Sequence, residues 1–420
     1  MEKCYKMKGY HLYLIPTDKF KNITISLKLQ NSLDRATVTK RTLLSFMLTT
    51  GTQDLPSTQE LSKYLESLYG MKFGSSIATK GKSHVININS VCINQEYLPY
   101  KEDLLVKQIK LLNDIIHHPN AQDGHFDEKM FKMKKKELKD RIISNQDDKF
   151  YYSLEKLFSY FGKDEPLGIS TYGYLKEIDG IANAELYDYF LQCIQEDQKN
   201  IYVVGNVDES IVSLFAENLS FPESTQEYET VYQMPKHHDD IIEIFEKQDI
   251  TQAKLNMGYL TDANFVRENH YAFTVFNMIF GSSSQSKLFK TVREKHSLCY
   301  YISSSYDAFN SIVVITAGIE SQDYEKVKEL VAEQLKAMQN GKFDDKDIEI
   351  AKLMIKNALV RTKDEPISQI ALLFNKNITH KEETDEEYIS KIMAVSKQDI
   401  IDVCQSMTLD TIFLLKGRDE

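Results

Sequence analysis

The alternation of apolar and polar side chains along the chain marks out short strands and amphipathic helices. In ITISLKLQ (23–30), Ile23, Ile25, Leu27 and Leu29 alternate with polar residues, the period of a strand with one buried face. VININSVCI (85–93) keeps this period at Ile86 and Ile88. The apolar phase then moves by one at Ser90, so that Val91 and Ile93 carry it on and a bulge is allowed there. Ser57 and Glu60 have the spacing of a capping box. Leu61, Tyr64, Leu65, Leu68 and Tyr69 follow as a helical stripe that stops at Gly70. A second helical stripe comprises Val327, Leu330, Val331, Leu335 and Met338.

Much of this pattern is written twice. FDEKMFKMKKKELKDRIISNQDDK (126–149) resembles FDDKDIEIAKLMIKNALVRTKDEP (343–366). HVININSVCINQEY (84–97) resembles NSIVVITAGIESQDY (310–324), and IYVVGN (201–206) resembles IFLLKG (412–417). Three pairs in the same order predict two homologous α+β domains, 1–219 and 246–420, each a mostly antiparallel sheet with helices packed on one face. The polar, proline-bearing stretch 220–245 is the expected linker.

Composition narrows the function classes. The chain has 420 residues, 42% of them apolar, and a net charge of −11. Beyond Lys134-Lys135-Lys136 there is no polybasic block, which argues against nucleic-acid and membrane-surface partners. The first twenty residues lack a continuous apolar signal-peptide core, and no apolar run reaches the length of a spanning helix, so a cytoplasmic location is expected. Cys4, Cys92, Cys193, Cys299 and Cys404 are scattered and odd in number, the pattern of reduced thiols.

RTLLSFMLTTGTQDLPS (41–57) carries the resemblance to a family. The chain resembles the pitrilysin/insulinase-type peptidases, the inverzincins, close to bacterial and mitochondrial processing-peptidase subunits. In that family a helix bears H-x-x-E-H, followed by Met-Leu and Gly-Thr; its histidines bind zinc and its glutamate activates the metal-bound water. Anchoring on Met47-Leu48 and Gly51-Thr52 places Thr42, Ser45 and Phe46 at the His, Glu and His positions. The remaining zinc-binding Glu maps to Arg141, and an accessory Glu to Lys134. A phenyl ring has no lone pair, a hydroxyl cannot serve as a carboxylate base, and a guanidinium opposes a cation. The resemblance therefore implies no catalytic residues and no metal or other cofactor in this chain. His117, His118 and His125, and His237, His238, Asp239 and Asp240, are the other metal-ligand candidates; both groups read as solvated loop residues.

FGSSSQSKLFKTVREKHSLCYYISSSYDAFNSIVVITAG (280–318) matches a different family signature, in which an Arg and a Tyr reach toward the bound peptide. They map to Arg293 and Tyr300, with Tyr301 as a competitor and Ser297 where the family commonly has Gly. A guanidinium supplies forked donors and a phenol can donate to a developing oxyanion. Loss of the metal site beside a retained Arg/Tyr pair implies a non-catalytic subunit of a heterodimeric zinc peptidase, paired with a homologous H-x-x-E-H partner and binding peptide in a clamshell. The resemblance also implies a link to the 5-aminopentanol modification of elongation factor P. The alternatives are a stand-alone peptide-binding, chaperone-like clamshell or a hydrolase with a relocated site.

Overall fold

The structure is a computed structural model that describes residues 2–100, 102–224, 226–237 and 239–417. It contains two compact units of discontinuous membership. Unit 1 comprises Met1–Ser144, Ser170–Glu229 and Thr362–Phe374; unit 2 comprises Asn145–Ile169, Thr230–Arg361 and Asn375–Glu420.

In the N-terminal half the strands are β1 (Lys3–Met7), β2 (Tyr10–Pro16), β3 (Asn22–Ser32), β4 (Lys72–Lys80), β5 (Ser83–Ile93) and β8 (Gln198–Gly205), with a two-residue ribbon β6 (Ala121–Gln122) and β7 (His125–Phe126). Its helices are α1 (Val38–Met47), α2 (Thr58–Ser67), α3 (Leu104–His117), α4 (Glu128–Asp147), α5 (Lys149–Phe161), α6 (Leu175–Ile178), α7 (Asn183–Glu196) and α8 (Ile211–Asn218). The C-terminal half adds β9 (Ile242–Gln248), β10 (Ala253–Leu260), α9 (Asn269–Asn277), β11 (Cys299–Asp307), β12 (Ile312–Ile319), α10 (Tyr324–Gln339), α11 (Asp345–Thr362), α12 (Pro366–Ile378), α13 (Asp385–Ala394), α14 (Lys397–Cys404) and β13 (Thr408–Gly417).

The duplication reappears as topology. The sheet of unit 1 runs β1-β2-β8-β3-β5-β4, with β2 and β8 parallel and the other neighbours antiparallel. Taken from its β9 edge, the second sheet runs β9-β13-β10-β12-β11, again with a parallel first pair and antiparallel neighbours after it. Strand for strand this is β2-β8-β3-β5-β4. The IYVVGN and IFLLKG repeats are β8 and β13, and the FD-headed repeats are α4 and α11. The fold is α+β, as the repeated pattern implies.

One face of each sheet packs on helices. In unit 1 Ile25, Leu27, Leu44, Leu112, Phe190 and Phe215 join one buried cluster; in unit 2 Met257, Phe273, Phe276, Val313, Val331 and Ile400 do the same. Each such side chain contributes roughly 1.5–3 kcal/mol on leaving water. The other face is covered too, which the alternation alone did not foresee. The polar alternates of β3, Thr24, Ser26, Lys28 and Gln30, are themselves buried. Their cover includes Phe374 of α12: its ring lies 4.9 Å from Lys28 Nζ and edge-on to Tyr202, at 6.1 Å. In unit 2 the cover is α5, whose Leu157 and Phe161 pack with Leu260, Ile312, Val314, Phe413 and Leu415. A Cβ on Gly258 would stand 2.6 Å from the Phe161 ring, so glycine there lets the helix seat.

Two local expectations change. β5 pairs with β3 and β4 in unbroken register, with no bulge at Ser90. Ser90 keeps the core phase because its hydroxyl accepts a hydrogen bond from Gln108 Nε2 at 2.9 Å, while Val91 and Ile93 lie on the opposite face. Among its described residues the expected linker shows no regular structure up to β9, and its last four residues open that strand. The Ser57 cap forms as expected, accepting from the Glu60 N–H at 3.2 Å.

Candidate functional site

Eight of the ten residues of α1 are buried in unit 1, the polar Thr39, Arg41, Thr42 and Ser45 among them. Thr42 and Ser45 are buried, and their hydroxyls are satisfied within the protein: Thr42 Oγ1 donates to Val38 O (2.9 Å) and lies 3.2 Å from Thr171 O, while Ser45 Oγ donates to Thr42 O at 2.8 Å. Such back-bonding occupies the donors and turns the oxygens onto the helix. Phe46 packs half-buried against the core cluster. On α4, Arg141 is exposed, and Lys134 is buried with its ammonium 2.8 Å from Glu137. These residues do not fit a zinc ion: they offer a ring, two committed hydroxyls and two cations.

The alternative metal groups separate as well. His117 closes α3 instead of lying in a loop, and its Nε2 is 2.8 Å from Ser220 O. Burial lowers its pKa. His118 and His125 are exposed, with His125 Nδ1 2.9 Å from Asp123 O. His237 stands 3.8 Å from Glu165, Asp239 and Asp240 are exposed, and His238 lies outside the described residues. Among the described residues, no three His, Cys, Asp or Glu side chains gather as a metal-ligating group.

The sequence reading missed the charged centre beside the degenerate helix positions. Arg41 is fully buried; one terminal nitrogen donates to Asp197 Oδ2 (2.6 Å) and Leu29 O (2.7 Å), and the other lies 3.3 Å from Cys193 Sγ. Asn31 Nδ2 completes Asp197 at 2.7 Å. Burial pushes the Asp197 carboxyl up, against the pull of Arg41. The available signal was weak: Arg41 follows Lys40 directly, two charges at the head of the run TLLSFML, and only the fold buries one of them. His84 shares the surroundings: buried and close to the Arg41 charge, it is held down to a pKa of about 3, first by burial.

In unit 2 Arg293 and Tyr300 are differently placed. Two π-helical turns, Met278–Ser282 and Phe289–Lys295, precede β11. Arg293 is exposed and its guanidinium stacks 4.7 Å from the Phe289 ring centroid. Ser297 makes the turn into β11 with φ +53°, the left-handed region in which glycine is the unstrained residue. Tyr300 is 63% exposed, its hydroxyl 3.4 Å from Glu320 Oε1. Tyr301 is half-buried against Phe150 and Lys254.

A duplicated α+β chain whose zinc-helix positions carry hydroxyl and phenyl groups is a peptidase-like protein without the metal donors. Comparison with known proteins agrees. Residues 181–355 match the family model described as the peptidase M16 inactive domain. Over 99% of its length the chain is 33% identical to the probable inactive metalloprotease YmfF of Bacillus subtilis, covering 97% of that protein. It is 22% identical to the uncharacterized zinc protease YmxG of the same organism, over 72% of this chain and 74% of the relative. A crystal structure of a conserved protein from Enterococcus faecalis superposes with TM-score 0.92 at 33% identity, covering 100% of this chain and 99% of the other. The peptidase M16 inactive domain structure from Pseudomonas fluorescens shares the fold, with TM-score 0.81 at 14% identity over 100% and 98% of the chains. The chain belongs to the M16 family, the pitrilysin/insulinase-type peptidases. Among the described residues no helix is long and apolar enough to cross a membrane.

Proposed function

We propose that this chain is the non-catalytic subunit of a heterodimeric zinc peptidase, holding peptide for a homologous partner that carries H-x-x-E-H. The observation behind this reading is a contrast. The hydroxyls of Thr42 and Ser45 are buried and closed onto their own helix, whereas Arg293 and Tyr300 are exposed, with the phenol held only by a long 3.4 Å contact to the Glu320 carboxylate. A guanidinium stacked on Phe289 keeps its edge donors for peptide carbonyls, and the phenol supplies one more donor by exchanging its 3.4 Å contact with Glu320 for a peptide. The name of the Bacillus relative, a probable inactive metalloprotease, supports the same reading.

The test is co-purification with a zinc-bearing M16 homologue, with metal measured by mass spectrometry. Zinc should follow the partner, and Arg293→Ala should lower kcat/KM of the complex about tenfold to a hundredfold. Stoichiometric zinc on the lone chain, or peptide hydrolysis by it, would reject the proposal. The link to elongation factor P is tested separately, by the mass of that factor in cells lacking the chain.

A further inference from the structure

We propose that Tyr301 and Gly318 are positioning residues for Tyr300, an assignment that rests on Tyr300 being a peptide-contacting side chain. In the β11–β12 ladder Cys299 pairs with Ile319, and Tyr301 pairs with Gly318. Two steps along β11 thus match one along β12, and Tyr300 is the extra residue. A bulge of this kind releases one side chain from the alternation of its sheet. Tyr300 is accordingly exposed, while Tyr301 is half-buried and Ile302 is buried in the unit 2 core.

Gly318 fixes the bulge at this rung. It sits between Tyr301 on β11 and Lys254 on β10. A Cβ on Gly318 would lie 2.5 Å from Tyr301 Cε1 and 2.7 Å from Gln252 Oε1, so the Tyr301 ring rests over the bare backbone of β12. Beyond the glycine the ring reaches Lys254, whose Nζ is 5.7 Å from its centroid, and it meets Phe150 edge-on at 5.9 Å. Phe150 belongs to α5, the helix that covers this face of the unit 2 sheet. The ring therefore has a floor, a cation and an aromatic edge as restraints.

The opposite face locks the same register. Ile302 is packed in the core, and Ser304 Oγ donates to Asn277 Oδ1 at 2.6 Å. A one-residue slip would bring Ile302 out of the core and Tyr300 onto Gly318, because side chains alternate with period two. Ring on glycine and isoleucine in core together leave Tyr300 as the residue turned outward.

Tyr301→Phe, Tyr301→Ala and Gly318→Ala in the full chain are compared with Tyr300→Ala. Tetranitromethane nitration, mapped by mass spectrometry, reports which phenol is accessible. Hydrolysis of a fluorogenic peptide pool by the complex with a zinc-bearing homologue reports function, and circular dichroism confirms folding. In the wild-type chain Tyr300 should be nitrated and Tyr301 spared. Tyr301→Phe should behave as wild type, while Tyr301→Ala and Gly318→Ala should raise KM about threefold to tenfold with kcat within about twofold, as for lost uniform binding. Gly318→Ala should also expose Tyr301 to nitration. Tyr301→Leu replaces Gly318→Ala in the comparison should the latter not fold. Equal nitration of both tyrosines in the wild-type chain overturns the assignment. So does a Tyr300→Ala defect that neither Tyr301→Ala nor Gly318→Ala shares. An unchanged KM in Tyr300→Ala rejects the peptide-contact reading instead, and nitration alone then decides the positioning.

Discussion

Arg41 stands one residue before Thr42, and its charge is balanced where no water reaches. Removing one member of such a pair strands the other: Arg41→Met should cost about 3–5 kcal/mol, and Arg41→Met with Asp197→Leu should recover most of it, measured by chemical denaturation. Two buried histidines contribute to the acid side of the stability profile. Burial holds both His84 and His270 down to about 3. Between pH 3 and the unfolded value near 6.5 the unfolded chain binds the extra protons, so stability falls as pH drops through that window. The slope is about 1.4 kcal/mol per pH unit for each histidine. His84→Gln should flatten the fall between pH 6.5 and pH 5; an unchanged slope would show that His84 is not buried in its neutral form.

At the scale of elements, α5 is the informative case. It follows α4 directly in the chain, but its apolar face belongs to the sheet of unit 2. Phe161→Ala removes a fully buried ring and should cost about 3–5 kcal/mol. Hydrogen exchange locates the effect: amides of β10, β12 and β13 should speed up, and those of β3 and β5 should not. Faster exchange confined to β3 and β5 would contradict this membership. In sequence, α5 and α12 are the segments that directly follow the two FD-headed repeats. Sequence does not name the sheet that either helix covers, because an amphipathic stripe specifies an apolar partner without naming it.

For the whole molecule, the discontinuous units make the two halves depend on each other. The fragment 1–219 lacks the cover over Lys28 and Tyr202, and the fragment 246–420 lacks Leu157 and Phe161 over Leu260, Ile312, Val314, Phe413 and Leu415. Expressed apart, each fragment should bind a hydrophobic dye and aggregate; expressed together, they should co-purify as a folded pair. A monomeric 246–420 fragment with the melting temperature of the full chain would count decisively against this.

By itself the sequence determined the duplication, the strand and helix periods, the cap at Ser57 and the absence of zinc-donor side chains at Thr42, Phe46 and Arg141 and of a carboxylate at Ser45. These are properties of residue type and spacing, which need no partner to be defined. Tertiary structure alone decided that Ser90 stays in phase, that Thr24, Ser26, Lys28 and Gln30 are buried, that Arg41 meets Asp197, and that Tyr300, not Tyr301, faces outward. Each of those outcomes depends on a side chain from far along the chain: Gln108 for Ser90, Phe374 for Lys28, Asp197 for Arg41, Gly318 and Phe150 for Tyr301. Periodicity reports how a segment divides its faces, whereas burial and exposure are fixed by what the folded chain lays against each face.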